Sequence, residues 1–325
     1  MNARARSDRT QLAIRLVGSV ATLVLLYFLL KGQGWQEVGQ ALASVGTANL
    51  LLGLSLILLS RLATIGRWHV LLRGNGAAIT PWQTTKITFA GLFASNFLPT
   101  TIGGDVVRLA GALQLGIDGA SSAASLVVDR LVGMAGMAIP LPIGVWLAWT
   151  QGVTQSVGAG NASQAALVWI GAPVGVFRTV RSWLLRAVRR LSDALGLYLR
   201  LPRVLLHALL YTFCHMTSLY LTLILLTRAM GDQLGLLQAA GLWSLVYYVT
   251  LMPLSVNGLG IQEVSLAFVF SHLGGVPMQS ALALGLILRT MTMLASLPGA
   301  LFLPGILPGA RGLSSESRST RGERG

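Results

Sequence analysis

Long apolar runs separated by clusters of arginine are the feature that most constrains this chain of 325 residues. The runs lie at 12–30, 48–66, 120–149, 204–227 and 278–303. A helix rises about 1.5 Å per residue, so runs of this length cross a bilayer core of about 30 Å. The composition agrees, because 54% of the residues are hydrophobic and only 10% are charged. The sequence therefore predicts an all-α fold, a polytopic integral membrane helix bundle.

The net charge of +14 is concentrated between the apolar runs. Arginines placed in this way follow the positive-inside rule and do not form the continuous basic face of a nucleic-acid-binding domain, so we expect no nucleic acid partner. We predict a multi-pass protein of the cell (inner, cytoplasmic) membrane, with a transmembrane domain at 12–303. The N-terminus at 1–11 and a disordered tail at 304–325 are expected to be cytoplasmic.

Residues 178–203 hold seven arginines and one acidic residue. Apolar residues recur there at helical spacing opposite the arginines, which predicts an amphipathic helix on the anionic cytoplasmic leaflet. Specific binding of a lipid headgroup is the alternative for this segment.

Residues 96–108 interrupt an apolar segment with the sequence Asn-Phe-Leu-Pro-Thr-Thr-Ile-Gly-Gly-Asp-Val-Val-Arg. Pro99 removes a backbone donor, and Gly103 with Gly104 permits a sharp turn. Asp105 is then a suitable N-cap for a new helix. In a bilayer, non-helical backbone is tolerated only where protein buries it or where it lines a wet cavity. We therefore expect a site at this break.

A second break, at 253–263, follows the apolar residues 236–251 and contains Pro-Leu-Ser-Val-Asn-Gly-Leu-Gly-Ile-Gln-Glu. The two breaks predict re-entrant helical hairpins at about 82–115 and 236–272. If 165–177 is counted as a span, the elements around the hairpins run in opposite directions, which predicts an inverted repeat. Paired broken segments in inverted halves indicate a transport site near the midplane. Hairpins that serve packing alone are the alternative.

Charged residues at these depths are the candidate site residues, because a buried charge costs about 2.5–3.5 kcal/mol on insertion scales unless it is paired or faces water. Asp105 and Arg108 are three residues apart and share a helix face. We expect Arg108 and Arg130 to contact phosphate, since a guanidinium offers paired donors and a helix N-terminus adds backbone donors. Asp105 and Asp129 would orient them, and internal salt bridges that hold the hairpins are the alternative.

Two further charged residues accompany the second break and the last span. Glu263 begins the short helix after that break, and Arg289 pairs either with it or with a headgroup. Arg61, in the second span, either extends its side chain to the headgroups or belongs to the site. The chain has no Walker loop, Gly-x-Ser-x-Gly elbow or His-Glu-x-x-His motif, so we expect no enzymatic activity, cofactor or metal.

These motifs resemble those of the transmembrane region family of lysylphosphatidylglycerol synthases, also called flippase-like domain proteins. They are Arg67-Trp68, Asn96-x-x-Pro99, Gly103-Gly104-Asp105-x-x-Arg108, Asp129-Arg130-x-x-Gly133 and Gly258-x-Gly260-x-x-Glu263. The resemblance runs from the first span to the last, and it implies movement of a phospholipid or lipid-linked headgroup between leaflets. Aminoacyl-transferring members carry a soluble domain after the membrane region, so this chain, with 304–325 after its last span, resembles the flippase part.

With the resemblance included, one set of residues is predicted to bind the headgroup. The set is Arg67, Asn96, Gly103, Gly104, Asp105, Arg108, Asp129, Arg130, Asn257, Gly258, Gly260, Glu263 and Arg289. The leading hypothesis is a membrane lipid translocator. Its alternatives are an accessory subunit for a separate lipid-modifying or glycan-transferring membrane enzyme, and a small-anion carrier.

Overall fold

The computed structural model of the protein describes residues 27, 35–96, 98, 103–158, 198, 200–251 and 260–306. Within these residues the chain is helical and has no strand. The helices are α1 (Trp35–Ser44), α2 (Gly46–Gly74), α3 (Pro81–Ser95), α4 (Gly103–Gln114), α5 (Gly119–Ala138), α6 (Leu141–Gly158), α7 (Pro202–Ala229), α8 (Leu236–Thr250), α9 (Ile261–His272) and α10 (Met278–Ser296). A short helix at 299–306 follows them.

Three of these helices, α2, α7 and α10, are long and apolar enough to cross a membrane. Helices α5 and α6 pass the same test together as a pair bent by 40°. These four elements correspond to the predicted spans at 48–66, 204–227, 278–303 and 120–149. The prediction of an all-α, multi-pass membrane protein is confirmed at this level.

Several predictions fall on parts of the chain that lie wholly or mostly outside the described residues. They are the N-terminus at 1–11, the span at 12–30, the segments at 165–177 and 178–203, and the tail at 304–325.

Some helix boundaries differ from those predicted. Helix α2 continues to Gly74, well past the apolar run at 48–66, and its charged residue Arg67 is buried in protein. Helix α10 ends at Ser296, close to Pro298, which cannot supply a backbone N–H to continue the helix. Helix α1 was not predicted; it buries Val38 and packs against α10.

The buried apolar residues of the described chain form three clusters. The smallest joins α2, α5 and α7. The other two largely follow the two halves of the chain. The first includes Trp68, Ile87 and Val107, from helices α2 to α4. The second is built mainly from α7 to α10 and includes Leu223 and Phe270. Helices α2 and α7 make the most extensive contact of any described helix pair, so they join the two halves.

The two predicted breaks separate helices that pack against each other, α3 with α4 and α8 with α9. Helix α3 begins with a capping box, in which the Thr80 side chain accepts from the backbone of Gln83 and the Gln83 side chain accepts from the backbone of Thr80. Helix α9 begins after Gly260, whose φ of 79° favours glycine. The residues between the paired helices, 99–102 and 252–259, lie outside the described part of the chain.

Candidate functional site

Five charged side chains from three helices form one connected network. Helix α2 contributes one arginine, and α4 and α5 each contribute one aspartate and one arginine. Their order of contact is Arg67, Asp129, Arg108, Asp105 and Arg130. Positive and negative groups alternate along this chain of contacts, so every charge has an opposite charge beside it. The five side chains carry three positive and two negative charges.

Asp129 lies at the buried centre of the network and is only 2% exposed. Its Oδ1 accepts a hydrogen bond of 2.6 Å from Nε of Arg67. Its Oδ2 accepts two hydrogen bonds of 3.1 Å, from Nη1 and Nη2 of Arg108. A carboxylate between two buried guanidinium groups is fully committed to protein partners, so Asp129 fixes the relative positions of α2, α4 and α5.

Arg108 is held on three sides. Besides Asp129, it donates from Nη1 to Oδ1 of Asp105 at 3.2 Å. Its guanidinium carbon lies 4.2 Å from the ring centroid of Trp68, a cation–π distance. Trp68 is itself fixed, because its Nε1 donates to Oγ of Ser125 at 3.1 Å. Arg108 is therefore an immobilised, buried cation.

Arg130 lies at the other end of the network and differs from the two buried arginines in exposure. Its Nε donates a hydrogen bond to Oδ2 of Asp105. The Arg130 side chain is 41% exposed, whereas those of Arg67 and Arg108 are each 9% exposed. Of the three arginines in the network, Arg130 is thus the one that a ligand can reach most readily.

Close approach of α3 and α4 brings Arg108 to this position. A Cβ atom on Gly104 would lie 2.7 Å from the backbone oxygen of Gly91, and a Cβ on Gly91 would lie 2.8 Å from Cγ of Arg108. Only glycine permits this crossing.

The prediction that Gly103 and Gly104 form a turn capped by Asp105 is wrong, because α4 begins at Gly103 and Asp105 lies in its first turn.

Arg67 connects the network to α7. Its Nη1 donates to Oγ1 of Thr212 at 3.3 Å. Gly133, one turn after Asp129 on α5, leaves room for the guanidinium, because a Cβ there would lie 3.2 Å from Nη1 of Arg67. The Gly133 position of the motif is thus explained by the space that a buried arginine requires.

Glu263 and Arg289 form a separate ion pair between α9 and α10. Oε1 of Glu263 lies 2.9 Å from Nε of Arg289, and the side chains are 5% and 14% exposed. Oε2 of Glu263 is buried without a hydrogen-bond partner. This pair lies on α9 and α10, whereas the five-residue network lies on α2, α4 and α5. Asn257 and Gly258, also predicted for this site, lie outside the described residues.

Asn96 joins the first broken helix pair to the last span. Its Nδ2 donates to Oγ of Ser296 at 2.7 Å, across 200 residues of sequence. This contact places the end of α3 beside the end of α10. It does not bring Asn96 into the charged network.

Arg61 lies well inside α2. Because α2 extends to Gly74, thirteen residues separate Arg61 from that end, or about 20 Å. Its Nε is buried without a hydrogen-bond partner. The neighbouring Ser60 forms a hydrogen bond of 2.6 Å with Nδ1 of His215. His215 is therefore a hydrogen-bonded residue between α2 and α7.

Sequence reasoning missed the neutral residues that hold the charged ones. They are Trp68, Ser125, Thr212 and Ser296. The sequence contained partial signals for two of them: Trp68 adjoins Arg67, and Ser125 lies one helical turn before Asp129. Thr212 and Ser296 lie far from their partners in sequence, and no local pattern indicates them.

Within the described residues, no group of three or more histidine, cysteine, aspartate or glutamate side chains is placed to hold a metal ion.

The fold and the site define a class: an all-α, multi-pass membrane protein with a buried arginine–aspartate network beside an interrupted helix. The family model of the lysylphosphatidylglycerol synthase TM region matches residues 13–299, so the chain belongs to that family. The resemblance drawn from the motifs is confirmed. No curated protein matches the chain.

Proposed function

We propose that this protein is a membrane lipid translocator, which moves a phospholipid or a lipid-linked headgroup between the leaflets. The observation that carries the proposal is the buried arginine–aspartate network, which ends at the partly exposed guanidinium of Arg130. A partly exposed guanidinium held at the edge of a rigid network is suited to an anionic group that binds and leaves.

Arg130 is the residue proposed to contact the lipid phosphate. A guanidinium presents donors in a planar fork that matches two phosphate oxygens. Asp105 orients Arg130 through Nε and also accepts from Arg108 at 3.2 Å. Arg108 contacts Asp105 and is itself bound to Asp129. These two residues therefore position Arg130 through Asp105 and do not need to contact the lipid themselves.

Family membership supports a role related to membrane lipids. The two broken helix pairs, proposed as re-entrant hairpins of an inverted repeat, would line the path of the headgroup. The matched family model describes a transmembrane region, which supports a transport role and not catalysis by this chain. We place the protein in the cell membrane with cytoplasmic termini, on the distribution of arginine.

The test is transport of a fluorescent phospholipid in vesicles that contain the purified protein. Arg130→Lys keeps the charge and removes the fork, and Arg130→Gln removes both. We expect translocation to fall about tenfold or more in each variant, with little change in thermal stability, because the Arg130 side chain is 41% exposed and solvent screens its ion pair, which contributes about 0–1 kcal/mol. Arg73→Gln, an exposed arginine near the end of α2, is the matched control.

Unchanged transport in both Arg130 variants would contradict the proposed headgroup contact. Movement of soluble inorganic phosphate by the wild-type protein, without any movement of lipid, would identify an anion carrier instead. Both outcomes can be read in the same vesicles with the two probes.

A further inference from the structure

Arg61 is a charged residue near the middle of α2. It follows Gly46, the first residue of the helix, by fifteen residues and precedes Gly74, the last, by thirteen. Leu59 and Leu62, close to it in sequence, are 46% and 54% exposed, as apolar side chains that face lipid are. Arg61 therefore lies at the depth of the hydrocarbon, where a charge is costly unless it is paired or faces water.

The Arg61 side chain belongs to the face of α2 that is turned into the bundle. Residues four apart lie on the same face of a helix. Ile57 and Ile65, one turn before and one turn after Arg61, are 1% and 5% exposed. Arg61 itself remains partly exposed, although its Nε is closed to solvent. The residue therefore borders the interior of the bundle and keeps an accessible part.

Within the described part of the chain, no carboxylate balances the charge of Arg61. Burial acts on its guanidinium without an opposing negative charge, and its Nε has no hydrogen-bond partner. Arg67, six residues later on the same helix, is paired, because its Nε donates to Asp129. Ionisable residues within membrane spans pair with another group or mark the path of a substrate or an ion. The absence of a counter-ion therefore indicates that Arg61 receives an anion from outside the chain.

Polar side chains of α7 connect Arg61 with the charged network. Thr212 accepts a hydrogen bond from Arg67. His215, three residues later on α7, forms a hydrogen bond of 2.6 Å with Ser60, the neighbour of Arg61. The charges of Arg61 and Arg67 both act on His215, and the two arginines are about 9 Å apart along the axis of α2. A row of polar groups therefore leads from the network to the middle of the bilayer.

We propose that Arg61 is a second phosphate-binding site, which receives the headgroup phosphate of an anionic phospholipid half-way across the bilayer. This inference rests on the proposed function and adds a step to it: the phosphate leaves Arg130 and is bound by Arg61 before it reaches the other leaflet. A guanidinium offers paired donors to two phosphate oxygens. The anion supplies the counter-charge that Arg61 lacks, so each charge lowers the cost of placing the other in hydrocarbon.

Replacing Arg61 by methionine tests whether the charge has a partner within the protein. Methionine is unbranched and apolar, so it fills the same space without a charge. In the full-length protein, exchanged into lipid-free detergent, Arg61→Met should raise the unfolding temperature by about 2–8 °C, because an uncompensated buried charge is removed. Arg67→Met is the matched control on the same helix and should lower this temperature, since Asp129 loses a partner. A lower unfolding temperature in Arg61→Met would show that Arg61 is paired within the fold, which would overturn the proposal.

Translocation of fluorescent phosphatidylglycerol in vesicles measures the functional role of Arg61. Arg61→Met should slow translocation about tenfold or more, although the protein is more stable, because charge-assisted hydrogen bonds made during crossing are lost. Arg61→Lys keeps the charge and should retain part of the rate. If Arg61→Met moves lipid as fast as the wild type while Arg130→Gln is slow, the second site is wrong and the proposed function stands.

Binding can be read even if the wild-type protein moves no lipid, so a failure of this site differs from a failure of the proposed function. Arg130→Gln protein in detergent is titrated with phosphatidylglycerol and, separately, with inorganic phosphate, and its unfolding temperature is measured. We expect phosphatidylglycerol to raise the unfolding temperature, and the double variant Arg61→Met/Arg130→Gln to lose this rise. An unchanged rise in the double variant, or a rise with inorganic phosphate alone, would overturn the proposal.

Discussion

Replacing Asp129 by asparagine tests whether the charged network is the scaffold of the site. The side chain keeps its size but loses its charge and part of its capacity to accept hydrogen bonds. Arg67 and Arg108 would then remain buried without the carboxylate that neutralises them. Removing one partner of a buried ion pair costs about 3–5 kcal/mol. We expect a loss of that size in the free energy of unfolding.

The measurement is reversible unfolding in mixed micelles, followed by tryptophan fluorescence as the denaturing detergent is increased. Arg130→Gln is the comparison, because it removes the network's exposed member. The Arg130 side chain is 41% exposed and its pair with Asp105 is screened, so the expected cost is about 0–1 kcal/mol. Stability should therefore rank wild type and Arg130→Gln together, well above Asp129→Asn.

A double variant shows whether the loss comes from the pair itself. Arg67→Gln combined with Asp129→Asn removes one charge of each sign. The double variant should therefore lose less unfolding free energy than the sum of the two single-variant losses, by about 0.5–3 kcal/mol. If Asp129→Asn costs no more than Arg130→Gln, or if the double variant is simply additive, water reaches the network and the scaffold interpretation is refuted.

Three further predictions concern packing, topology and the second ion pair. Gly104→Ala should destabilise the protein by about 1–3 kcal/mol because its Cβ would meet a backbone oxygen at 2.7 Å, whereas Gly39→Ala, with open space around it, should be neutral or stabilising by thermal unfolding. With the native cysteine replaced by serine, cysteines placed at Gln155 and Arg189 should react with impermeant reagents from opposite faces; labelling from one face would contradict the inverted repeat. Glu263→Gln should lower the unfolding temperature, and an unchanged value would show that its pair with arginine contributes nothing.

Much of the helical architecture follows from physical limits that a sequence displays directly. A membrane span needs a minimum length of apolar residues, so the runs at 48–66, 204–227 and 278–303 located α2, α7 and α10. The apolar run at 48–66 did not show that α2 continues to Gly74, because Arg67, the first residue after the run, is charged. Its burial depends on Asp129, 62 residues later, and no local pattern contains that information.

The members of the charged network were easier to predict than their arrangement. Charged residues within apolar segments identified Asp105, Arg108, Asp129 and Arg130, since an unpaired charge there is costly. Which of them pair depends on how α4 and α5 cross. Gly104 was misinterpreted for the same reason: a glycine for a turn and a glycine for close helix contact look identical in sequence, and only the neighbour at 2.7 Å distinguishes them.

The position of Asp105 beside Arg130 leads to a last prediction, about the kind of phosphate that the site accepts. A phosphodiester headgroup carries one negative charge, which matches the single positive charge of the Arg130 guanidinium. A phosphomonoester carries about 1.5 to 2 negative charges near pH 7, so it would leave an excess beside Asp105. Phosphatidylglycerol should therefore be translocated faster than phosphatidic acid with the same acyl chains, and Asp105→Asn should narrow the difference. Equal rates for the two lipids in the wild-type protein would show that the charge balance at Arg130 does not select the headgroup.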